Sequence, residues 1–387
     1  MTALGLGRVS LLGAVVFLLA GVGAACSSKG GGDAPDAADS GSTVDASKAD
    51  ASKKDASKDA GEKPQDAWAQ VDVADIDGFA LDDAPPSIVP VPSTGAFFGA
   101  FVGAEPETQT DPQSEALFTA AEDLINRPWV IDNRFYDDNT DWAGDRTKWD
   151  IAQNMIPLVT WMPYGNGDPL DEYIAGTHDA YVIQEAQEAK ALGVTILMRW
   201  GHEMNGNWYP WSGSDNGGAD AGVAGGPTKY IQAYQHVHDL FVSQGATNVV
   251  WIWCINVADV PAESWNHWTN YYPGDNYVDW VGLDAYNWGS SSSCCVWQTF
   301  TDLVATPYQD YVGKKPMMLP ETASAEVGGD KAGWINDMHT ALKTEFTGIQ
   351  AIVWFDINKE TDWRINSSPS ALAAYRAMAL DPYFFAP

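Results

Sequence analysis

The chain carries little positive charge. Its 387 residues include 21 lysines and arginines against 52 aspartates and glutamates, which gives a formal net charge of −31. A protein that binds nucleic acid needs basic side chains to neutralise phosphates, and an acidic polysaccharide would be repelled by the same negative surface. The shortage of basic residues therefore argues against both partners and favours a neutral ligand.

Cysteine and histidine are also scarce, with four and six residues. Cys254, Cys294 and Cys295 lie in the C-terminal part of the chain, and no histidine stands at metal-ligand spacing among them. This argues against a zinc site, and we expect neither a metal nor an organic cofactor. Cys254 ends one predicted strand and the vicinal pair follows the next, so one disulfide is compatible with export, but the sequence leaves its pairing open.

The longest apolar run lies at the N-terminus. Residues 1–25 contain one basic residue, Arg8, followed by an apolar stretch over 9–19 and then small residues, a pattern typical of a secretory signal peptide. Cys26 follows at once and resembles a bacterial lipoprotein site, where the thiol is acylated, although Gly23 stands where such sites usually carry leucine. The sequence thus predicts a secreted, outer-surface or periplasmic protein anchored through Cys26. The alternative is ordinary cleavage at Ala24-Ala25 and a free secreted enzyme.

Residues 26–93 differ in composition from the rest of the chain. They are rich in Asp, Ala, Ser and Lys, and the tetrapeptide Asp-Ala-Ser-Lys recurs from Asp45, Asp50 and Asp55. Such a segment cannot bury enough apolar surface to order itself, so we expect a disordered acidic tether. Its use would be to hold the following domain away from a membrane or cell wall.

Residues 94–387 alternate short apolar runs with amphipathic stretches, the pattern of repeated βα units. The predicted strands are 96–102, 129–134, 156–161, 194–200, 248–253, 280–284, 316–319 and 350–355, and the predicted helices include 114–126, 179–192, 228–243 and 331–344. Eight strands favour one α/β domain, a closed (β/α)8 TIM barrel. An open doubly wound sheet is the alternative, but no glycine-rich phosphate loop follows the first strand.

The segment 199–211, RWGHEMNGNWYPW, places Glu203 beside a histidine among indole rings, just past the end of the fourth strand. Catalytic groups of TIM barrels lie at that end of the strands. Aromatic rings stack on the flat faces of sugars, and Asn, His and Glu hydrogen-bond to sugar hydroxyls. Seventeen of the 18 tryptophans follow Gly95, which fits sugar binding although many must be core. The alternative is an aromatic loop that seals the barrel beside an ordinary surface glutamate.

Glycoside hydrolysis needs a second carboxylate. Glu321 follows the predicted seventh strand, 316–319, and the ends of strands 4 and 7 face each other across the mouth of a closed barrel. Glu321 is therefore the candidate, and Glu326, further into the loop, is a competitor. Alternatively, Glu321 is an acidic residue that favours the N-terminus of the next helix.

The motif HEMNG-x-W-x-P-W within residues 199–211 resembles the acid/base segment of glycoside hydrolase family 26, which holds β-mannanases and some β-glucanases and β-1,3-xylanases. The resemblance runs from about Gly95 to the C-terminus, and the motif is its specific part. It implies a retaining hydrolase on a (β/α)8 barrel, with Glu203 as the acid/base and a nucleophilic glutamate after strand 7, which here is Glu321.

The resemblance also implies that Tyr286 hydrogen-bonds the nucleophile and that Trp354 is the floor under the sugar being cleaved. A rim tyrosine and a core tryptophan are the alternatives. We expect His202 to contact the sugar or the nucleophile, with a charge that changes near pH 6.5. The predicted substrate-binding residues are His202, Asn205, Trp208, Trp211, Tyr286 and Trp354.

The sequence thus predicts a monomeric endo-β-glycosidase that acts on a neutral β-linked polysaccharide or oligosaccharide, with β-1,4-mannan as the leading substrate. Mannanases of this family often carry arginine after the strand-8 tryptophan, whereas Phe355 stands here, and residues 360–364 could supply polar contacts instead. That difference leaves mixed-linkage β-glucan or another β-glycan open. A surface glycan-binding protein without catalysis and an enzyme that remodels the cell's own exopolysaccharide are further alternatives.

Overall fold

The computed structural model describes residues 91–92, 94–105, 107, 109–138, 140–219, 225–293 and 295–384. The predicted signal peptide, Cys26, nearly all of the predicted tether and Cys294 lie outside these residues. Among the helices of the described residues, none is both long enough and apolar enough to span a membrane.

Eight parallel strands close into a barrel in chain order, with β1 paired to β8. They are β1 (Phe97–Val102), β2 (Ile131–Asp137), β3 (Ile156–Met162), β4 (Ile196–Trp200), β5 (Val249–Asn256), β6 (Trp280–Asn287), β7 (Met317–Ser324) and β8 (Ile349–Asp356). The predicted (β/α)8 barrel is therefore confirmed.

Helices lie between the strands and after the last one. They are α1 (Asp111–Ile125), α2 (Asp145–Ala152), α3 (Pro169–Ile174), α4 (Asp179–Leu192), α5 (Gly226–Gln244), α6 (Phe300–Tyr311), α7 (Lys331–Thr344) and α8 (Pro369–Ala379). Helix α1 begins three residues before the predicted start, because Thr110 and Gln113 form a reciprocal capping box and Pro112 favours the first turn.

The strands bury both faces. On β4, for example, Ile196 and Met198 pack in the layer beneath the helices, whereas Leu197 faces the inside of the barrel. Alternation of this kind gives the barrel a packed apolar interior at the N-terminal part of the strands. The members of this apolar interior are Phe97, Ile131, Leu158, Leu197, Val250, Ile252, Cys254, Trp280, Met318, Ala351 and Val353.

Six of the eight strands end later than predicted, and the extensions of β6 and β7 bear directly on the site. β6 continues to Asn287 and β7 to Ser324, so Glu321 lies within β7 instead of after it. The prediction stopped where polar residues begin, but those residues stay buried because they line the mouth of the barrel. Cys254 carries a buried free thiol inside the barrel, so it is not the partner of a disulfide with the vicinal pair.

Candidate active site

Glu203 lies in a tight turn directly after β4. Gly201 and Glu203 both have left-handed backbones, with φ of 57° and 54°. The Gly201 N–H donates to Trp161 O on β3, and the Glu203 N–H donates to Cys254 O on β5, each at 3.0 Å. Left-handed φ is uncommon for a residue with a Cβ, and such conformations persist where surrounding structure fixes them. The two neighbouring strands therefore hold the Glu203 backbone at the barrel mouth.

A local irregularity positions Glu321. The pairing of β7 with β6 shifts register between Gly282 and Ala285, and its pairing with β8 shifts between Leu319 and Thr322. Both shifts mean that β7 contains one extra residue in the segment around Glu321. A bulge of this kind redirects side chains and is common beside active sites.

The direction of the Glu321 side chain depends on this bulge. Met318 faces the apolar interior, so strict alternation along β7 would turn Pro320 inward and Glu321 outward. Because β7 contains this extra residue, the Glu321 side chain also points into the mouth of the barrel instead of away from it. Gly282 makes room for the bulge, because a Cβ there would lie 2.8 Å from Pro320 Cγ and 2.9 Å from Cys254 Sγ.

Two hydrogen bonds fix the Glu203 carboxyl group. Its Oε2 accepts from Trp208 Nε1 at 2.8 Å, and its Oε1 accepts from Asn256 Nδ2 at 2.9 Å. Burial raises the pKa of Glu203 to about 7, and the charge of Glu321 acts in the same direction, against the two hydrogen bonds. Glu203 is therefore protonated in a large fraction of molecules at neutral pH, the state that a general acid requires.

Glu321 has partners of a different kind. Its Oε2 accepts from the Tyr286 hydroxyl at 2.5 Å, and its Oε1 accepts from Arg199 Nη2. Arg199 Nη1 also donates to both oxygens of Asp284, at 2.9 and 2.7 Å. Burial alone would lower the pKa of Arg199, but the charges of Asp284 and Glu321 raise it well above its ordinary value. A permanent positive charge thus faces the Glu321 carboxylate.

Arg199 is held in turn from the other side. Its Nε donates to Thr160 Oγ1 at 2.9 Å, and that hydroxyl donates to Asn133 Oδ1 at 2.7 Å. Asn133, Thr160, Arg199 and Asp284 are all fully buried on β2, β3, β4 and β6. We call these four residues, with Glu203 and Glu321, the polar layer. The layer covers the apolar interior and fixes the guanidinium before any substrate binds.

His202 also lies in this region. Its Nε2 is 3.2 Å from the Tyr209 hydroxyl and 3.9 Å from Glu321 Oε1. Burial lowers the pKa of His202 well below its ordinary value, and the charge of Arg199 acts in the same direction. The expectation of a charge change near pH 6.5 is therefore wrong, because the ring is already neutral there. Its contact with sugar stays a prediction.

Two of the predicted substrate-binding residues stabilise the loop after β4 instead of facing a substrate. Asn205 is fully buried, and its amide donates to Asn256 O and Asp259 Oδ1 while accepting from the Asn256 N–H. Trp211 is also fully buried, stacks on Tyr209 with ring centroids 4.2 Å apart, and donates to His202 O. Neither side chain has a free face for a sugar, so these two predictions are wrong.

The predicted floor, Trp354, points the other way. It is fully buried outside the barrel wall, where its ring packs against Trp334 of α7 and Tyr375 of α8. The next residue, Phe355, faces the mouth. Its ring stacks on Phe101 with centroids 4.9 Å apart and lies edge-on to Tyr286 with centroids 5.7 Å apart. Adjacent residues of a strand face opposite sides, so the core alternative holds for Trp354.

An aromatic wall surrounds the two glutamates. Trp208 is partly exposed beside Glu203, so its predicted contact with sugar remains a prediction. On the side of Glu321, the Tyr286 ring contacts the Trp363 ring with centroids 5.0 Å apart, and the Trp363 ring contacts the Trp288 ring with centroids 4.9 Å apart.

The competitor Glu326 accepts instead from the Ser367 hydroxyl at 2.7 Å, and no hydrogen bond among the described residues joins it to the polar layer.

Arg199, Asn256 and Asp284 were not among the predicted site residues. Arg199 opens the quoted motif and Asp284 ends a predicted strand, so a charged residue within an apolar run was the available signal. Asn256 had none. His202, Asp284 and Glu321 place ligand atoms within 4.8 Å of one another, a spacing that a metal ion could bridge. The Arg199 guanidinium already pairs with both carboxylates, so the site contains its own cation.

The chain is similar to known proteins. The family described as glycosyl hydrolase family 26 matches residues 162–360. Endoglucanase H of Acetivibrio thermocellus is 39% identical over 290 residues, which cover 73% of this chain and 30% of that protein. A mannan endo-1,4-β-mannosidase of Bacillus subtilis is 31% identical over 161 residues, or 38% of this chain and 37% of that protein.

The chain thus spans about a third of the length of these two relatives. Among solved structures, a double mutant of Cellulomonas fimi endo-β-1,4-mannanase superposes with a TM-score of 0.55 at 17% identity, covering 75% of this chain and 71% of that one. This likeness shows a shared fold. The family match spans more than half of this chain and includes both glutamates, so the chain belongs to glycosyl hydrolase family 26.

Proposed function

We propose that this chain is a retaining endo-β-glycosidase that hydrolyses β-1,4-mannan. One observation carries the proposal. Glu203, with its pKa raised to about 7, shares a buried site with Glu321, whose carboxylate is paired with Arg199 and Tyr286. Two glutamates in such unlike surroundings suit the two roles of a double displacement, whereas a glycan-binding protein has no use for the pair.

In the first step, Glu321 attacks the anomeric carbon while Glu203 donates its proton to the departing glycosidic oxygen. The C–O bond breaks, and a covalent glycosyl-enzyme forms on Glu321. In the second step, Glu203, now ionised, takes a proton from water, whose oxygen attacks the same carbon and releases Glu321. Tyr286 and Arg199 keep the Glu321 oxygens in one orientation through both steps.

Support for mannan comes from the relatives that are named as mannan endo-1,4-β-mannosidases. A β-1,4-linked or mixed-linkage glucan is the second candidate. The endoglucanase is similar over 73% of this chain, against 38% for the mannosidase, and Phe355 occupies the mouth where an arginine is expected in mannanases.

A hydrolysis panel tests the function and ranks the two substrates. The purified full chain is incubated with mannan, glucomannan, mixed-linkage β-glucan and cellulose, and proton NMR follows the anomeric signal of the first products. We expect β-configured products and the fastest release from mannan. Faster release from mixed-linkage glucan would favour the second candidate, α-configured first products would refute retention, and binding without hydrolysis would refute the enzyme.

We further propose that the protein is exported, anchored by a lipid on Cys26 and held away from the membrane by residues 26–93, and that it acts as a monomer. The apolar N-terminal run, the position of Cys26 and the Asp-Ala-Ser-Lys repeat support this. In a bacterial host, Cys26→Ser should move the protein from the membrane fraction to the soluble one. Unchanged partitioning would refute lipidation, and a dimer mass in light scattering would refute the monomer.

A further inference from the structure

A second group of acidic residues lies outside the active site. Asp141 belongs to the loop between β2 and α2, and Glu185 and Glu188 stand one turn apart on α4. Each offers a carboxylate oxygen, and these atoms lie within 4.8 Å of one another. Asp141 is exposed, Glu188 is partly buried and Glu185 is fully buried, so the group reaches from the surface into the protein.

Glu185 is unusual even among the buried acidic residues. Its side chain has no exposed surface, and neither carboxylate oxygen has a hydrogen-bond partner of ordinary geometry. The backbone amides of Trp142 and Ala143 are near enough to oppose the rise in its pKa, but burial and the charges of Asp141 and Glu188 still raise it to about 8. A buried carboxylate whose nearby donors do not reach ordinary hydrogen-bond geometry is costly and calls for an explanation.

We propose that Asp141, Glu185 and Glu188 bind a divalent cation of the calcium type, which joins the β2–α2 loop to α4. The three carboxylates supply up to six oxygens, and Ca²⁺ takes six to eight oxygen ligands at roughly 2.3–2.6 Å. The three ligand atoms all lie within 4.8 Å of one another, so oxygens at this Ca–O distance from a single ion could include one from each residue.

The surroundings favour this chemistry. The group contains no nitrogen or sulfur ligand, and oxygen-only sites suit hard cations such as Ca²⁺ and Mg²⁺. Ca²⁺ fits better, because Mg²⁺ demands a regular octahedron and keeps several waters. One positive side chain, Lys148, acts on Asp141, and Glu188 Oε1 accepts from Gln184 Nε2 at 2.9 Å. Burial and the neighbouring charges raise the pKa of both Asp141 and Glu185, so a cation that binds here would release protons from the group.

Such an ion would strengthen an existing connection. The Tyr181 hydroxyl of α4 already donates to Thr140 O at 2.6 Å, so the loop before α2 lies on α4. Asp138, in the same loop, accepts from Trp161 Nε1 at 3.1 Å and from the Gly165 N–H at 2.7 Å. The cation would therefore act on the stability of one side of the barrel mouth, apart from the two catalytic glutamates.

The test uses the purified full chain, stripped with EDTA and dialysed. Thermal unfolding is measured with CaCl₂, MgCl₂ or EDTA, and TbCl₃ titrations follow luminescence excited through tryptophan, since Trp142 adjoins Asp141. We expect Ca²⁺ to raise Tm by about 3–8 °C, because a ligand that binds only the folded state stabilises it, and Mg²⁺ to do less. We expect saturable Tb³⁺ luminescence that Ca²⁺ displaces.

Variants locate the effect. Glu185→Gln and Glu188→Gln should each abolish the calcium-dependent rise in Tm and the Tb³⁺ signal, whereas Asp123→Asn, which changes an exposed carboxylate on α1, should retain both. In EDTA, Glu185→Gln should be at least as stable as the unmodified chain, because the amide cannot ionise and so avoids the burial cost and the repulsion by Asp141 and Glu188 that raise the pKa of Glu185. The partly exposed Glu188 gives a second variant if Glu185→Gln does not fold.

Three results would overturn the proposal. Absence of any calcium effect on Tm would do so, and so would a calcium effect of equal size in both glutamine variants, which would indicate nonspecific binding to the acidic surface. The third is a loss of stability in Glu185→Gln that is the same in EDTA as in calcium. That outcome would show that Glu185 serves only the packing of α4.

Discussion

The lower and upper halves of the barrel interior are built by the same strands yet differ in kind. Ile131, Leu158 and Leu197 belong to the apolar interior, and the residues two positions later on the same strands, Asn133, Thr160 and Arg199, belong to the polar layer. All six are buried. A step of two residues keeps the side chain inside the barrel and moves it from the region that stabilises the fold to the region that positions the chemistry.

The difference teaches how the two regions meet opposite requirements. Apolar side chains below the layer exclude water and give the strands a fixed geometry. Buried charges above them cost desolvation and persist because each is paired, with Arg199 between Asp284 and Glu321. Variants in the two regions should therefore affect different measurements, and the following predictions run from the largest expected effect to the smallest.

Glu321→Ala should show the largest loss in turnover, about 10⁴-fold or more, because no other group can form the glycosyl-enzyme. Added azide should restore turnover of an aryl glycoside and give a glycosyl azide of inverted configuration. Glu326→Ala is the matched control and should keep nearly full activity, since its carboxylate accepts from Ser367. Wild-type activity in Glu321→Ala would reject this residue as the nucleophile.

Arg199→Lys should reduce kcat by about 10²-fold or more, since lysine keeps the charge but cannot donate to Asp284, Glu321 and Thr160 together. KM should change less than kcat. Arg376→Lys, which alters an arginine that donates to Leu124 O outside the barrel, is the control. An unchanged kcat in Arg199→Lys would mean that the polar layer does not orient the nucleophile.

Leu197→Ala, two residues earlier on β4, should act on stability instead. Leu197 is 2% exposed, and truncating a core leucine costs about 2–5 kcal/mol of unfolding free energy. Its kcat, measured well below the melting temperature, should stay within a few-fold of the unmodified chain. A kcat loss as large as that of Arg199→Lys would remove the distinction between the two halves of the interior.

The smallest effect concerns pH. Because the first step needs protonated Glu203, kcat/KM should fall as pH rises through about 7, the raised pKa of this group. Asn256→Ala removes a hydrogen bond that favours the ionised form of Glu203, so the pKa of Glu203 should rise further. The alkaline limb of the kcat/KM profile should then move to higher pH. Asn336→Ala, on the exposed face of α7, should leave the profile in place, and an unmoved limb in Asn256→Ala would contradict this account of the pKa.

The sequence predicted the barrel and Glu203 because those signals are local, and it predicted Glu321 because the strands could be counted along the chain. Short apolar runs mark the strands, and the segment 199–211 carries an acidic residue where buried packing has no use for one. The ends of β6 and β7 were missed because their polar residues are buried by the assembled mouth and not by their own pattern. Such burial depends on residues far apart in the chain.

The roles of single side chains were harder to predict. Trp354 and Phe355 are neighbours with opposite directions, and a sequence alone does not fix which of the two faces the mouth. The bulge that turns Glu321 inward is likewise invisible without the pairing of β7 to both neighbours. Asn205 and Trp211 looked like sugar contacts by composition, but the fold uses their polar atoms within the loop.

The most direct test concerns Glu203 and compares two leaving groups. An acidic dinitrophenol needs little protonation to depart, whereas a sugar hydroxyl needs much, so Glu203→Ala should cripple hydrolysis of the polysaccharide and leave the first step fast on a dinitrophenyl glycoside. The second step should then lag, because no base activates water. Stopped-flow absorbance should show a burst of phenol before a slow steady state. Equal loss on both substrates without a burst would contradict the account and mean that Glu203 binds sugar without moving protons.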